Sequence, residues 1–417
     1  MLSTKDNERL TRIGPGTPAG ELLRRYWQAL CPVAELTDDK PIKPLRLLGE
    51  DLLAFRDGQG RYGLVEARCK HRRVSLTRGF VENDGIRCAY HGWKYGTDGR
   101  CIEQPFEPAD SRLKDDVRLR AYPVQALGGL LFGYLGPDPA PPLPRWDVLV
   151  REDGRRFIQV LPLHHCNWLQ CEENTADTVH TYYLHGHLAN VKGLHIPGAD
   201  YYVRPIERYE WSVNEWGVEK VLVYGGEKPE VEVRPPLIFP NILRVPQGPV
   251  EAIHFRVPID DTHTRILWVG FLEDPSAHTP EDAALPFEYL EAGRDADGEH
   301  DLLSFYSQDQ WAWESQGEIY DRSDETLGAT DRGIVLFRKM LAEQIDRVER
   351  GLAPDVAVVT DPAHNHCISF PSATRPWGGT EAMSFIPAGH KAGAAPCAGC
   401  GWALPGSVSH RCRCCRT

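Results

Sequence analysis

The chain has no apolar run long enough to cross a bilayer; the longest, around ALGGLLFGYLG, is broken by glycines and too short. It opens MLSTKDNERL, without the basic start and apolar core of a secretory leader, so a cytoplasmic location is expected. Positive charge is in deficit. The 47 Lys and Arg face 59 Asp and Glu, for a formal net charge of −12, which disfavours nucleic acid or anionic membrane as the main partner. An acidic surface still suits a docking protein with a basic face. No repeat of fixed period is present.

What is there reads as an ordinary globular composition, 41% apolar and 25% charged. At 417 residues the chain exceeds what one core usually supports, so two domains are expected. The divider is GYLGPDPAPPLPRW, with five prolines between Pro137 and Pro144, a stretch that sustains neither helix nor central strand. The expected units are 1–145, 146–390 and a Cys-rich tail, 391–417, that lacks apolar periodicity and is expected to be disordered. The twelve cysteines, in a reducing compartment, point to metal ligands or buried thiols.

Before the prolines, short apolar runs (PLRLLGEDLLAFRD, YGLVEARC, GIRCAYHGW, GGLLFGYLG) alternate with DGQG, ENDG and GTDG, which predicts a small all-β domain. After them, HHCNWLQCEENTADTVHTYYLHGH predicts a helix. VEKVLVYGG, AIHFRVPI and TRILWVGFL predict strands, the last two joined at DDTHT as a hairpin. In DRGIVLFRKMLAEQIDRVERG, Phe337, Met340, Leu341, Ile345 and Val348 share a helical face, with Thr330 as the expected cap at its start and Gly351 at its end. The second domain is therefore expected to be α+β, a curved antiparallel sheet gripping a helix.

Two Cys/His pairs stand in the first domain, Cys69-x-His71 and Cys88-x-x-His91. A zinc ribbon commonly uses four cysteines or segregates Cys from His. Here each loop supplies one of each, the division needed when one iron of a 2Fe-2S pair takes two thiolates and the other two imidazoles. The loop CAYHGW closely resembles the second ligand loop of Rieske proteins; the first loop carries Lys70 where that family has proline.

Downstream, Asp177, His180 and His185 form D-x-x-H-x-x-x-x-H. Asp177 and His180 share a helical face. Residues five apart diverge by about 140° on an ideal helix, so His180 and His185 meet at one metal only if the helix bulges or ends between them. Two histidines and a carboxylate on Fe(II) leave positions open for dioxygen. Asp331, Asp321, Asp324 and Glu314 are all candidates for that carboxylate, and an acid such as Asp331 also favours a helix start electrostatically.

With NWLQ, EN, GELLRRYW, VPIDDTHT and DRSDETLGATDRGI, the chain up to about residue 390 resembles the oxygenase component of Rieske non-haem iron oxygenases, phthalate-dioxygenase type. The resemblance implies a Rieske 2Fe-2S cluster on Cys69, His71, Cys88 and His91 and Fe(II) on His180, His185 and Asp331. It also implies that Asp177 links His91 of one subunit to His180 of the next, across a homotrimer or stacked trimers. Electrons would come from NAD(P)H through a reductase carrying flavin and 2Fe-2S, and dioxygen and a small aromatic acid or aryl ether would be the substrates, for dihydroxylation, ether cleavage or O-demethylation. An electron carrier with a degenerate second domain is the reading of another class. Arg244 and Arg204 are candidate carboxylate clamps or structural arginines. His164-His165 and HNHC (364–367) are expected to pack, Cys166 and Cys171 to be core thiols, and Cys397, Cys400, His410, Cys412, Cys414 and Cys415 to form no metal site.

Overall fold

A computed structural model describes residues 2–370 apart from 195, 197–198, 227–229 and 248–249. The Cys-rich tail and its six candidate ligands lie outside the described residues.

The fold is α+β, as expected: small β-sheets followed by a large sheet with helices. The apolar runs before the prolines form strands Ile42–Leu47, Glu50–Arg56 and Tyr62–Glu66, which pair antiparallel in sequence with a short edge at Ala121–Tyr122. A second sheet, Phe80–Glu82 to Cys101–Glu103, carries the CAYHGW loop between Gly85–Arg87 and Lys94–Tyr95. The two sheets enclose a core of their own, with Leu53, Phe55, Val65, Ile86 and Tyr95 buried around Cys69 and Cys88.

The proline segment makes no helix or strand from 134 to 145. It is nevertheless packed, since Leu143 and Trp146 are buried and Trp27 Nε1 donates to the Pro141 carbonyl at 2.8 Å. The N-terminal helices Thr4–Thr11 and Pro18–Leu23 precede the β domain in sequence yet lean on the larger domain. Arg9 pairs with Asp346 and Glu349, and Arg12 with Asp261.

The large sheet is an antiparallel meander from Ile206–Asn214 to His263–Glu273, extended by Gly154–Val160 and a parallel edge, Phe287–Tyr289. The expected hairpin closes at Asp260 and His263. The helix Arg332–Glu349 lies against this sheet and buries the five apolar residues of its predicted face. Its start differs from expectation: Asp331, not Thr330, stands at the cap position, after a tight turn at Ala329–Asp331. Gly351 adopts φ +77°, the left-handed conformation that stops a helix at little cost for glycine. Gly333 lets the helix approach closely, because a Cβ there would stand 2.5 Å from the Ala176 carbonyl and 2.4 Å from Trp211 Nε1.

Candidate active site

The two Cys/His loops face each other. Cys69 and Cys88 are each 1% exposed, whereas His71 is exposed and His91 half-buried. Sulfur therefore lies inward and imidazole outward, with the histidine rings 4.5 Å apart and His71 stacked on Trp93. Gly92, at φ +74°, turns the second loop so that its N–H donates to the Cys88 carbonyl at 3.0 Å. The Tyr95 oxygen accepts from the Lys70 N–H at 3.2 Å and lies 3.1 Å from Cys69 Sγ, so its hydroxyl hydrogen is free to point at sulfur. Two inward thiols and two outward imidazoles from opposed loops fit the donor set of a Rieske cluster. Lys70 in the proline position pairs with Glu66.

In the larger domain the helix Trp168–Ala176 ends at Asp177, whose backbone is extended. The chain rewinds as a wide helix with i→i+5 bonding over Thr181–His187. That winding makes the fifth residue nearly one full turn, the bulge that the His180/His185 spacing requires. The two rings stand 5.2 Å apart, and Asp177 Oδ2 is 3.3 Å from His180 Nδ1.

The third carboxylate differs from expectation. His180, His185 and Asp309 each present a ligand atom within 4.8 Å of the others. Asp309 Oδ1 is 3.3 Å from His185 Nε2 and 3.9 Å from His180 Nε2. Asp331 is not brought to the histidines; its carboxylate accepts from the Gly328 N–H at 2.6 Å, the local role of an acid at a helix start. The rivals are also elsewhere. Glu314 accepts from the His165 N–H and sits 3.1 Å from His300, Asp321 holds Ser323, and Asp324 is exposed.

Asp309 lies on the helix Phe305–Ser315, where Phe305, Asp309 and Trp313 recur every four residues and share a face. An acid in the middle of an aromatic face is the signal that could have found it. Burial alone would raise the Asp309 carboxyl, but His185, His180 and Arg256 outweigh it and hold it down to about 2. Asn174 donates to Asp309 at 3.3 Å. Gln308, fully buried, donates its amide to the Leu302 carbonyl, which turns its oxygen toward His185 Nδ1 at 2.9 Å. With Nδ1 thus protonated, the Nε2 lone pair faces Asp309. Two imidazoles and one carboxylate at this spacing fit a divalent iron with open positions.

These groups line a cavity of about 120 Å³ whose walls include Leu161, Phe305, Arg244 and Arg256. Arg244 is spent on Asp147 at 3.1 Å and on Glu251 at 2.5 Å, while Arg204 binds Glu230 and stacks on Tyr201 and Tyr224. Both are therefore held in ion pairs. Cys166 and Cys171 are buried thiols 3.6 Å apart, as expected; His164 is fully buried, whereas His364, His366 and Cys367 are exposed rather than packed.

Residues 26–123 match the family model of the Rieske [2Fe-2S] domain. The chain is 37% identical over 390 residues to the 5,5'-dehydrodivanillate O-demethylase oxygenase subunit of Sphingobium sp. (strain NBRC 103272 / SYK-6), covering 90% of this chain and 88% of that one. It is 33% identical to the phenoxybenzoate dioxygenase subunit alpha of Ectopseudomonas oleovorans, covering 83% and 86%. Against the phthalate 4,5-dioxygenase oxygenase subunit of Pseudomonas putida the identity is 31%, over 84% and 88%. The fold matches the QL mutant of NdmA of Pseudomonas putida CBB5 with caffeine at a TM-score of 0.60 and 20% identity, over 84% of this chain and all of that one.

Proposed function

Because the chain belongs to the Rieske oxygenase subunits of aromatic dioxygenases and O-demethylases, we propose that it oxidises an aromatic acid or aryl ether through iron held by His180, His185 and Asp309. The observation that carries this reading is the convergence of those three side chains on one buried cavity. Iron bound there supplies the activation of dioxygen, and a 2Fe-2S cluster on Cys69, Cys88, His71 and His91 supplies electrons one at a time.

The chain's own residues do the rest. Gln308 holds the His185 imidazole by its Nδ1 atom and Asp177 stands 3.3 Å from Nδ1 of His180, leaving both Nε2 atoms for the metal. Phe305 and Tyr202 pack beside the His185 ring and keep bulk water from it. His91 lies at the surface of its domain and the Asp177 side chain is 25% exposed, so both are reachable from another subunit. That supports the electron route from His91 through Asp177 to His180 across a homotrimer or stacked trimers. In this reading the enzyme is cytoplasmic, and a partner reductase with flavin and 2Fe-2S draws on NAD(P)H.

Demethylation is the second reading, favoured by the 37% identity over 90% of the chain to an O-demethylase subunit. A single turnover of reduced, iron-replete protein with labelled dioxygen and a panel of aromatic acids and aryl ethers separates the two. Two labelled atoms in the ring product establish dihydroxylation; an unlabelled phenol, with one labelled atom in formaldehyde trapped as it forms and the other in water, establishes demethylation. Cluster oxidation with neither a labelled product nor formaldehyde would sink the oxygenase reading and favour an electron carrier.

A further inference from the structure

Among the described residues four Lys and Arg side chains line the cavity, and three are engaged with the protein. Arg234 pairs with Glu232 at 3.1 Å, Arg244 with Asp147 and Glu251, and Lys220 donates to the Thr175 carbonyl. Arg256, 2% exposed, differs. One of its terminal nitrogens donates to the Cys171 carbonyl, and its nearest carboxylate, Glu172, stands 3.9 Å away, beyond hydrogen-bond length. Burial pushes the Glu172 carboxyl up to about 7, so it only partly offsets the guanidinium. Arg256 Nε is buried without a hydrogen-bond partner among the described residues, and so are His254 Nε2 and Trp313 Nε1.

The fold gathers these three side chains. His254 and Arg256 are two apart on the strand Val250–Asp260 and so point to one face. Trp313 follows Asp309 by four residues on one helix, and the Arg256 guanidinium lies 5.1 Å from its ring. All three line the same cavity as the iron ligands. Buried polar groups are nearly always paired, and a set left open toward a cavity marks where a ligand supplies the partner. Arginine and tryptophan can only donate, so the partner must be an acceptor.

We infer that Arg256, Trp313 and His254 form the subsite for the carboxylate of an aromatic acid, with the reacting side of the ring turned toward His180, His185 and Asp309. This rests on the oxygenase reading and narrows its substrate class. A guanidinium with no carboxylate at hydrogen-bond distance among the described residues favours an anion over a neutral carbonyl. The neutral imidazole adds no competing charge, since burial first and Arg256 second hold His254 well below its ordinary range. Four residues of helix separate Trp313 from Asp309, a rise of about 6 Å. A single ring spans that length, so oxidation falls on the part of the ring remote from the carboxylate.

The test is equilibrium binding to iron-replete holoenzyme without dioxygen, using 4-methoxybenzoate, its methyl ester and its amide. Wild type should bind the acid at least about tenfold more tightly than the ester or amide. W313F keeps the ring and removes only the N–H, and H254F removes a second donor. Each should weaken the acid by about tenfold and the ester by less than twofold. R256M should abolish the acid preference, with W313F as the informative variant if R256M does not fold. Equal binding of the three ligands, or equal losses for acid and ester, would overturn the subsite, as would ordered water alone at these donors in crystals soaked with the acid. Labelled-oxygen turnover is scored separately. Oxygenation of panel compounds without acid preference removes the subsite and leaves the oxygenase standing, while acid binding without any oxygenation does the reverse.

Discussion

Glu173 is the best place to weigh what holds the iron helix. It lies on Trp168–Ala176, between the residues of the N-terminal turn and Asn174, which donates to Asp309. Its carboxylate takes Arg322 Nε and Nη2, both at 2.8 Å, and Arg338 Nε at 2.5 Å; Arg338 also binds Glu325. All four side chains are at most 8% exposed. E173Q keeps the shape but leaves two buried guanidiniums to one carboxylate. Breaking such a pair costs about 3–5 kcal/mol, and at about 2–3 °C per kcal/mol the melting midpoint falls by roughly 6–15 °C. E349Q, which loses a partly exposed pair with Arg9, should cost under about 1 kcal/mol. Burial would raise the Glu173 carboxyl, but Arg322 and Arg338 overcome it and lower it. Its folded value is depressed, so its stabilisation is complete above the unfolded value of about 4.3 and is lost as pH falls through the folded one. The gap between wild type and E173Q should therefore close on acidification. Differential scanning calorimetry from pH 3 to 7 measures both effects. An E173Q shift no larger than that of E349Q would refute the reasoning.

Two further outcomes follow from single contacts. Q308L removes the acceptor that holds His185 Nδ1, and iron affinity at the mononuclear site should fall about 10–100-fold, read by chelator competition; unchanged affinity would mean the tautomer is fixed otherwise. Y95F removes the hydroxyl beside Cys69 Sγ, and the cluster potential should drop by about 40–60 mV, the one-electron equivalent of one hydrogen bond. Spectroelectrochemistry showing no drop would mean that the hydroxyl does not donate to sulfur.

How much could be read in advance depended on range. Cys69, His71, Cys88 and His91 sit in two short loops whose spacing carries the chemistry, so C-x-H and C-x-x-H singled them out without any structure, and the fold brings the four together. The His180/His185 spacing even stated its own condition, a widened helix, and Thr181–His187 meets it. Asp309, which the fold places beside the two histidines, was not singled out because it comes from a helix far along the chain that carries no spacing relation to them. Asp331 drew attention through its place at a helix start, which is also where an acid is favoured for local reasons. Arg244 and Arg204 follow the structural alternative, and the sequence could not decide it for a similar reason: Arg244 meets Asp147 across the sheet, a pairing no local pattern announces. Arg256, whose neighbours leave one nitrogen open, stood out only once burial and partners were known.

The assignment of Asp309 is tested most directly by counting iron. Wild type, D309A and D331A are reconstituted with iron and sulfide and assayed for metal content and single-turnover oxygenation. D309A should retain the two cluster irons per chain, lose the third and form no oxygenated product. D331A should hold three and turn over, with at most the loss of about 0.5–2 kcal/mol of stability expected from a helix cap. Three irons and full turnover in D309A, with the third iron lost from D331A, would contradict the site.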